Sequence, residues 1–422
     1  MIYTFTNAKV YLSTGFQQTN ITIQDNAIIQ IGSAVLGTEI KLSSTCIIVP
    51  SFIDLHAHFR EPGQTEKEDL VSGALSGLYG GYQTVCVMAN TSPVIDHPTV
   101  LAPLLMKAKK LPINIQFFSA ITNNLAGQKA VDFASFGEDV IGFSDDGIYL
   151  TNQDLLLTAL KYGQTNNKLV SLHVDNRQEL SPSTIVLNQT VAARFNLTGV
   201  DENYETGPLR RDLAIVNQLQ LRYHLCHLST AKSVALVRKS KAINPFLTCE
   251  VTPHHLTLST DDILINDGNY LMNPPLNLKS DQLSLIAALN DGTIDVIATD
   301  HAPHQAKEKE LFVTSAMGII GLQLTFPLLY TKLVQPQKVP LATIINALTV
   351  NPQKLIQHHD VQLKVNNQAN FTVIDLALTQ TVTSKLLKSK ATNTPFLGTA
   401  LTGWPIMNIH NGIIHHLNEE GA

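Results

Sequence analysis

From about residue 47 to residue 304 the chain alternates short, unbroken apolar runs with longer stretches whose apolar positions recur at helical spacing. The runs are IIVPSFIDLHAH, YQTVCVMAN, INIQFFSAIT, VIGFSDDG, LVSLHVD, YHLCHLS, FLTCEVTPHH and VIATDHAPH. Between them lie EDLVSGALSGLYGG, TVLAPLLMKAKK, DLLLTALKYGQ, DLAIVNQLQL, SVALVRKSKA and SDQLSLIAALND. Apolar side chains three and four apart share one helix face, so these stretches predict amphipathic helices. Strands covered on both faces read as continuous apolar runs, and eight of them alternating with helices predict a (β/α)8 barrel. A doubly wound parallel sheet is the competing architecture. The two ends differ from this pattern. AKVYLS, NITIQD and AIIQIGS near the start, and NFTVIDL and MNIHNGIIHHL near the end, predict β segments. Together they predict one small β domain built from residues 1–50 and 365–422, with the barrel occupying 51–364.

Composition narrows the class. The 422 residues are 44% hydrophobic, enough for a sizeable core, and the net charge of −5 provides no basic field to hold nucleic acid. No apolar run reaches membrane-spanning length, and the start MIYTFTNAKVYLS lacks the pattern of a signal peptide. Cys46, Cys86, Cys226 and Cys249 are scattered without CxxC spacing, which fits free thiols in a reducing compartment. The expectation is a soluble cytoplasmic protein.

The candidate chemistry lies where the apolar runs turn polar, at their C-terminal ends: His56/His58, Asn90, Thr122, Asp145/Asp146, His173/Asp175, His227/Ser229, Thr252/His254 and Asp300/His304. In a barrel those ends converge on the face that carries active sites. Buried His and Asp are costly unless paired or metal-bound, so such repeated placement points to a site. Side chains two apart on a strand point the same way, so His56 and His58 are placed for joint chelation, and imidazole suits Zn²⁺. An HxH pair alone is a weak signal. Asp146, His173, His227 and Asp300 on other strand ends strengthen it. Strand alternation puts His227 on one face with Leu225 and Ser229 and sends His224 the other way, toward the helices, as a satisfied structural histidine; Cys226 also faces away from His227 and reads as core. Of His254 and His255, at most one points inward. His410, His415 and His416 read as surface or packing residues of the terminal β segment.

DLHAHFREPGQTEKED, GGYQTVCVMANTSPVID, FSDDG, CHLST, EVTPHHLTL, MNPPL, IDVIATDHAPH and the late NTPF resemble the dihydroorotases of the amidohydrolase superfamily, in the bacterial form that carries FSDDG. The resemblance runs from the first strands to the last hairpin, in order. It implies a TIM barrel with a β-sandwich from both termini, and two zinc ions per chain. His56, His58 and Asp300 would hold one zinc, His173 and His227 the second, and Asp146 would bridge them. Arg60, Asn90 and His304 would meet a substrate carboxylate, and Asn273 the pyrimidine ring. The implied reaction interconverts N-carbamoyl-L-aspartate and L-dihydroorotate, with Asp300 as general base and then acid. A homodimer, and aspartate transcarbamoylase as a partner, belong to the same expectation.

The chain departs from the family pattern at Ala89, at Asp175 and Asn176, at Asn277 and at Gln323. None is a proposed ligand, but several sit beside the site. Two other functions compete. One is a different cyclic amidohydrolase, disfavoured by Arg60 and by the missing bridging lysine in VIGFSDDG. The other is a non-catalytic scaffold for the transcarbamoylase, disfavoured by the complete ligand set. The run Lys307-Glu308-Lys309-Glu310 reads as a solvated loop, or as a lid over bound substrate.

Overall fold

The computed structural model describes residues 1–356 and 360–417, so residues 357–359 and the last five of the expected 365–422 segment lie outside the described residues. Its central sheet has eight strands: Phe52–Ala57, Tyr82–Val87, Asn114–Ser119, Gly142–Phe143, Leu169–Leu172, Tyr223–Leu225, Leu247–Val251 and Val296–Ile297. Each pairs in parallel with the next. The ends meet through a parallel bridge between Ala57 and His301, where the His58 N–H donates to the His301 carbonyl over 2.8 Å. That closure decides for the barrel against the open doubly wound sheet.

The helical stretches form for the reasons their spacing indicates. Leu70–Tyr79 buries Leu70, Ala74 and Leu78, one residue per turn, and starts at Asp69, whose carboxylate accepts from the Val71 and Ser72 N–H groups at 2.9 Å. Asn203–Leu219 likewise buries Leu209, Leu213 and Val216 against the outside of the sheet. Each such side chain contributes about 1.5–3 kcal/mol through removal from water. Inside the barrel, Ile53, Leu55, Cys86, Met88, Phe118, Leu169, Cys226, Val296 and Ala298 form a separate apolar cluster. Helix Val350–Ile356 packs on it from the N-terminal ends of the strands, where Asn351 donates to the Asp295 carbonyl at 2.8 Å. The barrel is therefore filled below and polar above.

Two further sheets come from the chain ends. One runs Ala27–Gly32, Asn20–Gln24, Ile2–Thr6, Thr38–Lys41. The other runs Ile413–His416, Ala400–His410, Phe371–Thr381, Cys46–Pro50, Lys9–Leu12, Gly15–Gln18. Phe5, Val10, Ile21, Ile23, Ile48, Phe371, Val373 and Ile409 fill the space between them, with the Phe5 and Phe371 rings edge to face at 5.1 Å. In the second sheet Cys46–Pro50 pairs with Phe371–Asp375, which joins the two termini. Ser51 alone separates that strand from the first barrel strand. Its hydroxyl bonds Thr372 and Asn408 at 3.1 and 3.2 Å. The sandwich thus fixes the start of the strand that ends in His56 and His58.

Candidate active site

At the C-terminal ends of the barrel strands lies a cavity of about 170 Å³, lined by His58, Arg60, Asn90, Asp146, Gly147, His173, Arg177, His227, Asn273, Asp300, Ala302, His304, Met317 and Gly318. Three of the side chains that meet there sit on left-handed backbone: Arg60 at φ 57°, His227 at φ 22° and Asp300 at φ 47°. Non-glycine residues hold that conformation at a cost of about 1–3 kcal/mol each, which the packed barrel supplies. The kinks aim side chains that a regular strand would direct elsewhere. Gly318 keeps the wall close: at φ 111°, a Cβ there would lie 2.4 Å from the Ala302 Cβ.

His56 and His58 converge on two carboxylates. The His56 Nε2 is 3.3 Å from Asp146 and 3.6 Å from Asp300, and the His58 Nε2 is 3.0 Å from Asp300 and 3.6 Å from Asp146. The His56 Nε2 is buried, and no aligned hydrogen bond satisfies it. Burial opposes charge on His56, but Asp146 outweighs that and raises its pKa well above the ordinary imidazole value. Burial would raise both acids as well. Instead His56 holds Asp146 well below the carboxylate range, and the His58 hydrogen bond with the His56 charge does the same for Asp300. Two buried carboxylates facing two imidazoles make a centre that favours positive charge. Ligand-type atoms of His56, His58 and Asp300, and of His56, Asp146 and His227, lie within 4.8 Å of one another. Nitrogen and carboxylate donors in this arrangement fit a divalent cation such as Zn²⁺.

His173 and His227 form the other half. The His173 Nδ1 is 2.9 Å from the His227 Nε2, and burial with the neighbouring His173 pushes His227 down to about 3. On its far side His173 meets Asp175, whose carboxylate also accepts from Asn273 at 2.8 Å, Tyr204 at 3.0 Å and Arg177 at 3.2 Å. Asn90 braces the first half: its Oδ1 is 2.9 Å from the His58 Nδ1, and its amide donates to Asp146 at 2.9 Å. Asn273 lines the cavity, with its amide 2.8 Å from the His173 Nε2 and its Oδ1 accepting from Tyr204 at 2.7 Å.

Arg60 and His304 form the opposite wall. The Arg60 Nε donates to the Pro303 carbonyl at 3.2 Å, and its Nη2 lies 3.3 Å from the His304 Nε2. That same Nε2 is 2.8 Å from the Met317 carbonyl, a pure acceptor, so it carries the hydrogen. The unpaired, buried Nδ1 is then an acceptor. Burial and the adjacent Arg60 push His304 down to about 2, in keeping with a neutral ring.

The two acids of FSDDG divide their work. Asp146 enters the site, while Asp145 turns away and accepts from the Ile121 and Thr122 N–H groups at 2.7 and 3.0 Å and from the Thr122 hydroxyl. Three expectations need correction. His224 does not face the helices. Tyr223 and Leu225 do, and His224 points inward onto Glu250, at 3.1 Å. Cys226 likewise lies inside, beside His56. Alternation failed at His227, whose φ of 22° brings it to the site from the opposite parity. The charged run is not a simple solvated loop either. Lys309 is buried and donates to the carbonyls of Leu271, Ala316 and Gly318 at 3.0, 2.7 and 2.9 Å. His254 and His255 are both buried in the short helix Pro253–Thr257, and neither lines the cavity. His410 and His415 lie in the terminal strands. Strand reasoning missed Glu250, Tyr204 and Arg177. A lone glutamate inside the apolar run FLTCEVTPHH was the available signal, since a buried charge needs a partner.

The barrel, its metal-type cluster and the terminal sandwich define a class: the chain belongs to the amidohydrolase family, whose model matches residues 47–414. It is 36% identical over 400 residues to a dihydroorotase of Carboxydothermus hydrogenoformans, covering 94% of this chain and 93% of that one. To a dihydroorotase of Brevibacillus brevis it is 38% identical over 376 residues, covering 88% of each. These relatives make it an enzyme of the dihydroorotase type, a cyclic amide hydrolase. In fold it is similar to a dihydropyrimidinase from Brevibacillus agri, at TM-score 0.84 and 19% identity over 98% of this chain and 95% of that one. An L-hydantoinase from Arthrobacter aurescens gives 0.83 at 19%, with the same coverage. Among the described residues, no helix is long and apolar enough to cross a membrane.

Proposed function

We propose that the enzyme interconverts N-carbamoyl-L-aspartate and L-dihydroorotate with two zinc ions per chain. His56, His58 and Asp300 would hold one ion, His173 and His227 the other, with Asp146 between them. When bound, zinc supplies Lewis-acid polarisation of the amide carbonyl and lowers the pKa of water toward neutrality.

The observation that carries this reading is the pairing, in one small cavity, of an arginine fork with an unprotonated imidazole nitrogen opposite the metal-type cluster. The Arg60 Nη groups suit a carboxylate, whereas the His304 Nδ1, expected to meet that carboxylate as well, is an acceptor and suits an N–H donor instead. L-dihydroorotate carries both on adjacent atoms. In ring opening, Asp300 accepts a proton from the attacking water as the new C–O bond forms. It returns that proton to the ring nitrogen as the C–N bond breaks, so ring closure releases one water. Asn273 and Asn90 border the same space and would hold the ring and the carboxylate. Cytoplasmic location, a homodimer and association with aspartate transcarbamoylase belong to this reading, and size-exclusion chromatography with and without that partner tests the last two.

The test compares turnover of L-dihydroorotate with that of dihydrouracil, the same ring without the carboxylate, by zinc-loaded protein. Strong preference for dihydroorotate is expected. Equal turnover would remove the role of Arg60 and favour a hydantoinase-like enzyme, and no turnover of either, with the transcarbamoylase present, would favour a scaffold.

A further inference from the structure

His56 sends its two ring nitrogens into different surroundings. Nε2 faces Asp146 and Asp300, as described, while Nδ1 lies 2.8 Å from the Glu250 Oε1. Glu250 sits on the seventh barrel strand, fully buried, beneath the metal-type cluster. Its second oxygen is 3.1 Å from the His224 Nε2, and the His224 Nδ1 is 2.8 Å from the Thr248 hydroxyl. The Glu250 Oε1 also accepts from the His227 backbone N–H at 3.4 Å, so the carboxylate is held among donors on both oxygens. A carboxylate only accepts. The His56 Nδ1 therefore carries the hydrogen, which leaves Nε2 as the nitrogen that would ligate a cation held together with Asp146 and Asp300.

We infer that Glu250, braced from behind by His224, is a positioning residue for the cation that His56 holds. It fixes the tautomer and rotation of the ring, and its charge strengthens Nε2 as a donor. It touches neither substrate nor reacting atoms. Carboxylates behind metal-binding imidazoles act in this way generally, and their loss weakens metal binding by roughly 10–100-fold. Cys226 shares the same pocket, with its ligand-type atom within 4.8 Å of those of His56 and Glu250. The inference rests on the metal reading above, and its readout is zinc binding, separate from turnover.

Zinc affinity is measured by competition with a chelator for native protein, Glu250→Gln and Glu250→Asp, with the melting temperature of each zinc-free form as a folding control. The expected result is a roughly 10–100-fold loss for Glu250→Gln, with Glu250→Asp, which keeps the charge, nearer the native value. A folded Glu250→Gln protein with native zinc affinity overturns the inference. Should that variant fail to fold, His224→Gln decides the matter: it removes the brace and keeps the carboxylate. A measurable loss of zinc affinity supports the inference, and native affinity overturns it. A native protein that binds no zinc would instead sink the metal reading itself.

Discussion

Replacing Arg60 by Met separates substrate recognition from metal binding. Arg60 lines the cavity, and its Nε is already committed to the Pro303 carbonyl, so the two Nη groups are the part a ligand can use. Methionine retains the aliphatic stem and accepts the same backbone, so the fold should persist. The variant removes two charge-assisted bonds, each worth about 1.5–3 kcal/mol, and the Asn90 amide recovers part of the loss. A net penalty of about 3–4 kcal/mol corresponds to a 10²–10³-fold fall in kcat/KM. The solution equilibrium does not change, so the fall must be equal for cyclisation and for ring opening. Steady-state kinetics in both directions, with metal analysis of the same preparation, gives the answer. Arg60 does not touch the His and Asp cluster, so zinc content should match native protein. A loss below about threefold, or one that follows loss of zinc, would refute the assignment of Arg60 to the substrate carboxylate.

Asp300→Asn keeps a ligating oxygen but cannot take a proton, so turnover should fall roughly 10²–10⁴-fold in protein that still contains zinc; full activity in a zinc-containing variant would exclude the proton-transfer role. Asp145→Asn and Asp146→Asn should differ in kind. The first disturbs buried bonds to Ile121 and Thr122, each costing about 1–3 kcal/mol, and should lower the melting temperature, whereas the second should lower zinc content; the same phenotype in both would contradict the division of labour in FSDDG. Burial holds Lys309 down at about 7 against an ordinary 10.5. The folded state thus releases this proton before the unfolded state does, so its contribution to stability grows as pH rises from about 7 to about 10 and is lost as pH falls through 7. The melting-temperature advantage of native protein over Lys309→Met should widen across that window, and an advantage that narrows would show the ammonium form to be the favoured one.

The barrel is legible in the chain because both kinds of element announce themselves. Its strands are covered on both faces and read as unbroken apolar runs, and helices such as Leu70–Tyr79 bury one residue per turn. The convergence of His56, His58, Asp146, His173, His227 and Asp300 is legible for a related reason, since each ends such a run. What alternation cannot see is a kink. His227 has a positive φ, so counting faces back from it places His224 and Cys226 on the wrong side. Neither can it see partners supplied from distant strands. Glu250 is 194 residues from His56, and Tyr204 reaches Asp175 from a helix, so only the folded barrel shows what these buried groups serve. The buried role of Lys309 is hidden in the same way, because its three carbonyl partners come from loops whose path has no periodicity.

In the proposed function one cavity holds two metals and the carboxylate of a cyclic amide. Anomalous diffraction at the zinc edge, from crystals of zinc-loaded protein soaked with L-dihydroorotate, tests it directly. Two peaks about 3.5–4 Å apart are expected, one among His56, His58 and Asp300 and one beside His173 and His227, with Asp146 between them and the ligand carboxylate on Arg60. Zinc bound away from these side chains, or a ligand whose carboxylate avoids Arg60, would contradict it.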